Sequence, residues 1–365
     1  MSNATVSVYP FDQTLAPATA VAKTRLGWVD VARGITILLV VMGHANLPYQ
    51  IQCFLQPFRL PLFYFTAGYI FNYDRHRDAL GNYLSQRLRR LLLPYFCTAA
   101  FFYFVWLVVS NYTYQVWSYD PVKQLAGIFL ASGMSHGTGD YVIRFDLALW
   151  FLGCMAVSTV IFVGLLHFFR NESSQVPLLM ASAGIACLGR VIGDYVALPW
   201  STDVAMIAQF FFVMGFLLRQ HGTGFQDARI LVFMFALYFA LYWTGDLTDM
   251  NHRIYPDFSK FILAGLAGTY VVFAISKKIA QLAETEVGAR HVSAGLEFLG
   301  RNTMVIMAFH MGGYYLRDLF EECILGRMPA NPAPFWPTFL WLSLASMLAI
   351  VVLNRVTALK KIYYK

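Results

Sequence analysis

Stretches 91–119, 147–166 and 328–354 of this chain contain no charged residue. Each exceeds the ~18 residues that mark a candidate membrane-spanning helix. Composition agrees with them. The chain is 58% hydrophobic, 17% aromatic and only 13% charged, whereas a soluble domain holds about 45–50% apolar and about 25% charged residues. The pattern predicts an all-α, polytopic transmembrane helix bundle of about ten spans. They fall near 29–47, 54–72, 91–110, 147–168, 175–192, 204–219, 229–245, 260–277, 296–316 and 335–355.

Orientation follows from charge. With the N-terminus inside, seventeen Lys and Arg fall on the inner segments and seven on the outer ones, leaving out Arg33, Arg59 and Arg301, which lie at or within helices. That is the positive-inside bias, and it places both termini in the cytoplasm. The same bias explains the net charge of +7, so membrane lipids are the expected partner and nucleic acid is not. The five cysteines are isolated and show no CxxC spacing, so neither a metal site nor a disulfide framework is indicated. Residues 1–24 lack an apolar core and read as a flexible cytoplasmic tail; 25–365 form the membrane domain. The long outer connection 111–146 carries His136, Asp140 and Asp146, with room for a short helix over 122–132.

The first span holds "RGITILLVVMGHANLP" at 33–48. Eleven steps at ~100° and ~1.5 Å put Arg33 and His44 within roughly 20° of one another and ~16 Å apart along the axis. Asp30, three before Arg33, lies close to the same line and can pair with it. Ionisable residues at membrane depth usually face a bundle interior. A structural Asp–Arg pair beside a satisfied core histidine is the plainer alternative. A second embedded histidine, His310 in "NTMVIMAFH", adds weight to a site, because imidazole exchanges protons near neutral pH. At the cytoplasmic end of the third span, "RLRRLLLPY" (87–95) sets Arg87 and Arg90 on one face. Arginine forks suit phosphate oxygens. The competing use is snorkelling to lipid headgroups; the functional one is a nucleotide-bearing acyl donor such as acyl-CoA.

These segments together resemble the integral-membrane acyltransferase-3 family. "WVDVARGITILLVVMGHA" resembles its Arg-x10-His helix through Asp30, Arg33 and His44. "FRLPLFYFTAGYIF" (58–71) is similar to its Pro-Leu-Phe-Phe-x-x-Ser-Gly-Tyr segment, with Ala67 where Ser is common. "RLRRLLLPY" resembles its Arg-x-x-Arg motif, "LALWFLGCM" (147–155) its Leu-Trp-Phe-Leu segment, and "FLGRNTMVIMAFH" (298–310) its late Gly-x-Asn-Ser/Thr…His helix. The motifs occur in the family's order, although the second half matches poorly outside 298–310. The resemblance implies a bacterial inner-membrane O-acetyltransferase that moves acetyl from cytoplasmic acetyl-CoA, the co-substrate, to a carbohydrate hydroxyl, without a metal. The expected acceptor is a lipid-linked exopolysaccharide repeat unit, in the style of the xanthan mannose O-acetyltransferases and without a fused extracytoplasmic domain. Other polysaccharide-assembly proteins are expected partners.

Roles follow as expectations. His44 is the general base, or is itself acetylated and discharged. Arg33 steers the donor and Asp30 fixes Arg33. Arg87, Arg90 and Arg89 hold the donor phosphates. His310, Asn302, Thr303, His136 and Asp146 contact the acceptor, Thr303 and His310 being seven apart and so on one face. Two alternatives stay open: the same enzyme using succinyl-CoA, and a proton-coupled polysaccharide-precursor transporter, whose relays would also use embedded Arg and His.

Overall fold

The computed structural model describes residues 26–112, 120–131, 148–169, 175–222, 225, 227–243, 245–326, 328 and 333–364. The tail 1–24, and His136, Asp140 and Asp146 of the long outer connection, lie outside the described residues. Among those described, the fold is all helix, with one isolated β-bridge between Asp249 and Ile254.

In chain order the helices are α1 (Gly27–Gly43), α2 (Tyr49–Tyr69), α3 (Tyr73–His76), α4 (Leu80–Tyr112), α5 (Pro121–Leu130), α6 (Trp150–Phe168), α7 (Val176–Tyr195), α8 (Thr202–Gln220), α9 (Ala228–Tyr242), α10 (Phe258–Thr285), α11 (Val287–Arg301), α12 (Thr303–Phe309), α13 (Gly312–Leu319), α14 (Phe335–Arg355) and α15 (Thr357–Tyr363). Among the described residues, six helical stretches are long and apolar enough to cross a membrane: Tyr73–Val108, Trp150–Phe168, Val176–Tyr195, Pro199–Gln220, Phe258–Thr285 and Phe335–Arg355. α1 falls short because it has 17 residues, or about 26 Å at 1.5 Å per residue, against a hydrocarbon core of about 30 Å.

α1 is the axial helix of the site, packed against α2, α10, α11 and α12. Its contact with α11 is backbone to backbone. A Cβ on Gly34 would overlap the carbonyl of Leu296, and one on Gly300 would overlap the carbonyl of Asp30. Only glycine permits this approach, and it brings Arg301 to the first turn of α1. The aromatic core of Trp28, Tyr69, Phe225 and Phe273, with ring centroids 5.1–5.9 Å apart, locks the same end of the bundle. Edge-to-face pairs of this kind add about 0.5–1.5 kcal/mol each beyond area burial.

Two sequence expectations change, and a third is met. The first span was expected over 29–47; α1 stops at Gly43 and His44 is its C-cap. Asn46, in the left-handed region at φ 61, turns the chain away and donates its side-chain amide to the Ala333 carbonyl at 3.1 Å. The ninth span was expected as one helix over 296–316. Instead α11 begins at Val287, and the path breaks at Asn302 and again around His310–Met311. Asn302 Nδ2 bonds back to Phe298 O at 2.8 Å and Thr303 Oγ1 to Gly300 O at 2.7 Å. Such side-chain bonds compete with the backbone ladder and end it. The short helix expected over 122–132 is α5. Asp120 caps it, accepting from the amides of Val122 and Lys123. It runs antiparallel along α4, with Tyr103 donating to Pro121 O and Tyr95 to Ile128 O.

Candidate active site

A cavity of about 560 Å³ opens near the start of α1, within the ~300–1,000 Å³ usual for ligand sites. Arg33 of α1, Arg87 and Arg90 of α4, and Arg301 of α11 all line it, with Asn302, Thr303, Tyr363 and Tyr364. Arg87 and Arg90 share a face because they are three apart. Arg89 lies on another face, is exposed, and does not line the cavity. Arg87 Nε is buried with no hydrogen-bond partner among the described residues. Such an orphaned charged donor is costly unless a ligand satisfies it.

The expected pair of Asp30 and Arg33 is present at 3.9 Å, and Asp30 also meets Arg301 at 3.8 Å. One buried carboxylate thus steadies two cavity-lining guanidinium groups. The C-terminal segment closes the opposite wall: Tyr364 donates to Asn302 Oδ1 at 2.7 Å, and Asn354 Nδ2 donates to the Tyr364 hydroxyl at 3.1 Å.

Beyond the cavity stands a pair of histidines. The rings of His44 and His310 lie 5.1 Å apart between centroids. His310 Nδ1 is 2.9 Å from Ile306 O and 3.0 Å from Met307 O. Carbonyls only accept, so Nδ1 carries the proton and Nε2 is left basic; Nε2 is buried without a partner among the described residues. His44 is held by its backbone, whose carbonyl accepts from the Tyr314 hydroxyl.

The residue missed by sequence reasoning is Arg59, which is buried. It donates from NH1 to Leu39 O at 2.9 Å. Its guanidinium presses on Gly43, where any Cβ would overlap it. No ion pair involving it occurs among the described residues. Arg59 and Asp249 are both near enough to act electrostatically on His44. A lone arginine in an otherwise apolar second span was the available signal.

One face of α2 joins these parts. Gln52, Gln56, Arg59, Phe63 and Ala67 are spaced four, three, four and four residues apart, so they stack along one side. Phe63 and Ala67 line the arginine cavity, as does Met307, one turn before His310. Neither histidine lines the cavity. Met307 lines it one helical turn, about 5 Å along the axis, before His310, and Phe63 lines it about one turn beyond Arg59. Asn302 and Thr303 line the cavity together with the arginines.

At the far end of α2, Gln56 Nε2 donates to Asp249 Oδ2 at 2.8 Å, and His252 Nδ1 lies 3.0 Å from the same oxygen. The bond to Asp249 holds the His252 pKa above its ordinary 6.5, with burial opposing. Burial pushes the Asp249 carboxyl up, but the bonds from His252 and from the Asn251 and His252 amides outweigh it and leave it below 3.8. The pair's contribution to stability is therefore complete below about pH 6.5 and fades as pH rises through the raised His252 value; it also fades as pH falls through the lowered Asp249 value. Thermal unfolding from about pH 6 to 9 should show a loss in the wild type that His252→Asn lacks. Parallel curves would mean that the pair does not form.

A family model described as an acyltransferase domain matches residues 26–355. No curated protein and no solved structure matches the chain.

Proposed function

The chain belongs to the acyltransferase-3 family, and from that premise we propose that it transfers acetyl from acetyl-CoA to a carbohydrate hydroxyl. In this reading it is a multi-pass enzyme of a bacterial inner membrane, with about ten crossings and both termini in the cytoplasm. The acceptor is an exopolysaccharide unit. The carrying observation is the convergence of Arg33, Arg87 and Arg90 on one cavity, with Arg87 Nε buried and without a hydrogen-bond partner among the described residues. Forked guanidinium groups there suit the phosphates of CoA. Asn302 and Thr303 then face the donor rather than the acceptor.

The acyl arm passes between Phe63 and Met307 to the histidine pair. There His44 takes the proton of the acceptor hydroxyl, and the oxygen attacks the thioester carbonyl. The charge that forms on the carbonyl oxygen is met by Arg59. As the C–S bond breaks, the protonated His44 returns its proton to the departing CoA thiolate. His310, with its proton fixed on Nδ1, offers Nε2 as an acceptor that orients the His44 ring or shares its proton.

Donor binding tests the reading. Purified protein in nanodiscs should gain thermal stability from CoA, by about 2.7 kcal/mol at a hundredfold excess over Kd. Arg87→Ala and Arg90→Ala should each raise the KM for acetyl-CoA roughly tenfold or more, since hydrogen bonds to charged groups are worth about 1.5–3 kcal/mol. A transporter would ignore CoA. Variants that lower yield but leave the KM unchanged would assign the arginines to lipid anchoring.

A further inference from the structure

Asp249 is saturated. Its carboxylate accepts from Gln56 Nε2 and the His252 ring, and from the backbone amides of Asn251 at 2.8 Å and His252 at 3.1 Å. Four donors fill the ordinary capacity of a carboxylate. Because Gln56 turns its nitrogen to Asp249, its oxygen faces elsewhere. That oxygen, Gln52 Oε1 and Asn251 Oδ1 are all buried and lack a partner among the described residues. Two of these amide oxygens, on Gln56 and Asn251, thus belong to groups at one rigid loop, and Gln52 stands one turn before Gln56 on the same face of α2. That loop is pinned by the Asp249–Ile254 bridge and by Arg253, whose Nε and NH2 grip Asp203 at 2.8 and 3.1 Å. Each such acceptor left dry is a desolvation cost that is recovered when a ligand supplies donors.

We infer that Gln52, Gln56 and Asn251, set around Asp249 at the outer end of α2, form the acceptor subsite and bind a neutral, hydroxyl-rich ligand of the sugar class. The unpaired groups are acceptors, so the ligand must donate. An anion would meet Asp249. A cation would find the carboxylate already spent on four donors and His252 beside it. Sugar hydroxyls donate without charge. The placement fits the chemistry, because Arg59 lies one turn along the same α2 face and presses on Gly43, next to His44. A hydroxyl held at Gln56 is thereby presented towards the histidine pair. This inference rests on the acyltransferase reading for the donor half of the reaction.

The test uses the full chain in lipid nanodiscs, acetyl-CoA, and octyl mannoside and octyl glucoside as acceptor probes, with glycerol for comparison. Gln52→Leu and Gln56→Leu should each raise the KM for the glycoside about tenfold, the equivalent of about 1.4 kcal/mol, with the KM for acetyl-CoA unchanged. Gln52→Leu should not lower the melting temperature, because it removes an unpaired oxygen; a merely structural glutamine would lower it. Glycoside KM values equal to wild type in both variants would overturn the inference while leaving the acyltransferase reading intact. So would transfer to the glycosides no faster than to glycerol. A wild type that neither binds nor turns over acetyl-CoA would remove the acyltransferase reading itself, and this inference with it.

Discussion

His44→Ala loses acetyl transfer by about 10²–10⁴-fold, the usual worth of a positioned general base, while its melting temperature and its stabilisation by CoA stay close to wild type. The separation of the two readouts follows from the geometry. His44 is tied into the fold through its backbone, by the Tyr314 hydroxyl and by its amide to Val40 O and Val41 O. Its ring makes no hydrogen bond among the described residues, so truncation strands no partner. His310→Ala differs: it removes a ring nitrogen that serves the carbonyls of Ile306 and Met307, so stability should fall along with activity. The measurement is acetyl transfer and thermal unfolding on the same membrane preparation. A His44→Ala protein with wild-type turnover would remove the base from the proposed mechanism.

Arg59→Met should lower kcat by about 10²–10³-fold, as loss of one oxyanion donor does, with the KM for acetyl-CoA little changed. Stability should move the other way or not at all. A buried guanidinium with no ion pair among the described residues carries a desolvation penalty that an apolar side chain of similar length does not. Arg59→Lys should not restore activity, because an ammonium lacks the planar fork. Gly43→Ala probes the same contact from the other side, since its Cβ would overlap the guanidinium; it should reproduce the kcat loss with Arg59 still present. Equal loss of stability and activity in Arg59→Met would mark a structural residue.

The parts of the site that were readable in advance are local ones. Asp30 and Arg33 are three apart on one helix, and Arg87 and Arg90 three apart on another, so their faces follow from 3.6-residue geometry. The helical class followed from charge-free runs alone. What stayed hidden depends on distant chain segments. Arg301 reaches Asp30 only because Gly34 and Gly300 let α1 and α11 touch backbone to backbone. Asp203 and Arg253 pair across fifty residues. The break at Asn302 was missed because a hydrophobic period continues through it, while the back-bonding amide that ends the helix leaves no mark on periodicity. Thr303 and His310 do lie on one continuous helical stretch, α12 with His310 as its C-cap, as seven-residue spacing requires. Arg59 is a lone charge within an apolar span, and only its burial marks it as part of the site.

The central claim is a single route, from a phosphate-gripping cavity between Phe63 and Met307 to the His44–His310 pair. An experimental structure with a non-hydrolysable acetyl-CoA analogue bound tests it most directly. The expected density places phosphates against Arg87 and Arg90, the arm between Phe63 and Met307, and the acyl carbonyl within hydrogen-bond reach of Arg59 and His44. An analogue whose acyl end stops short of these two residues, or that binds away from the four arginines, would contradict it.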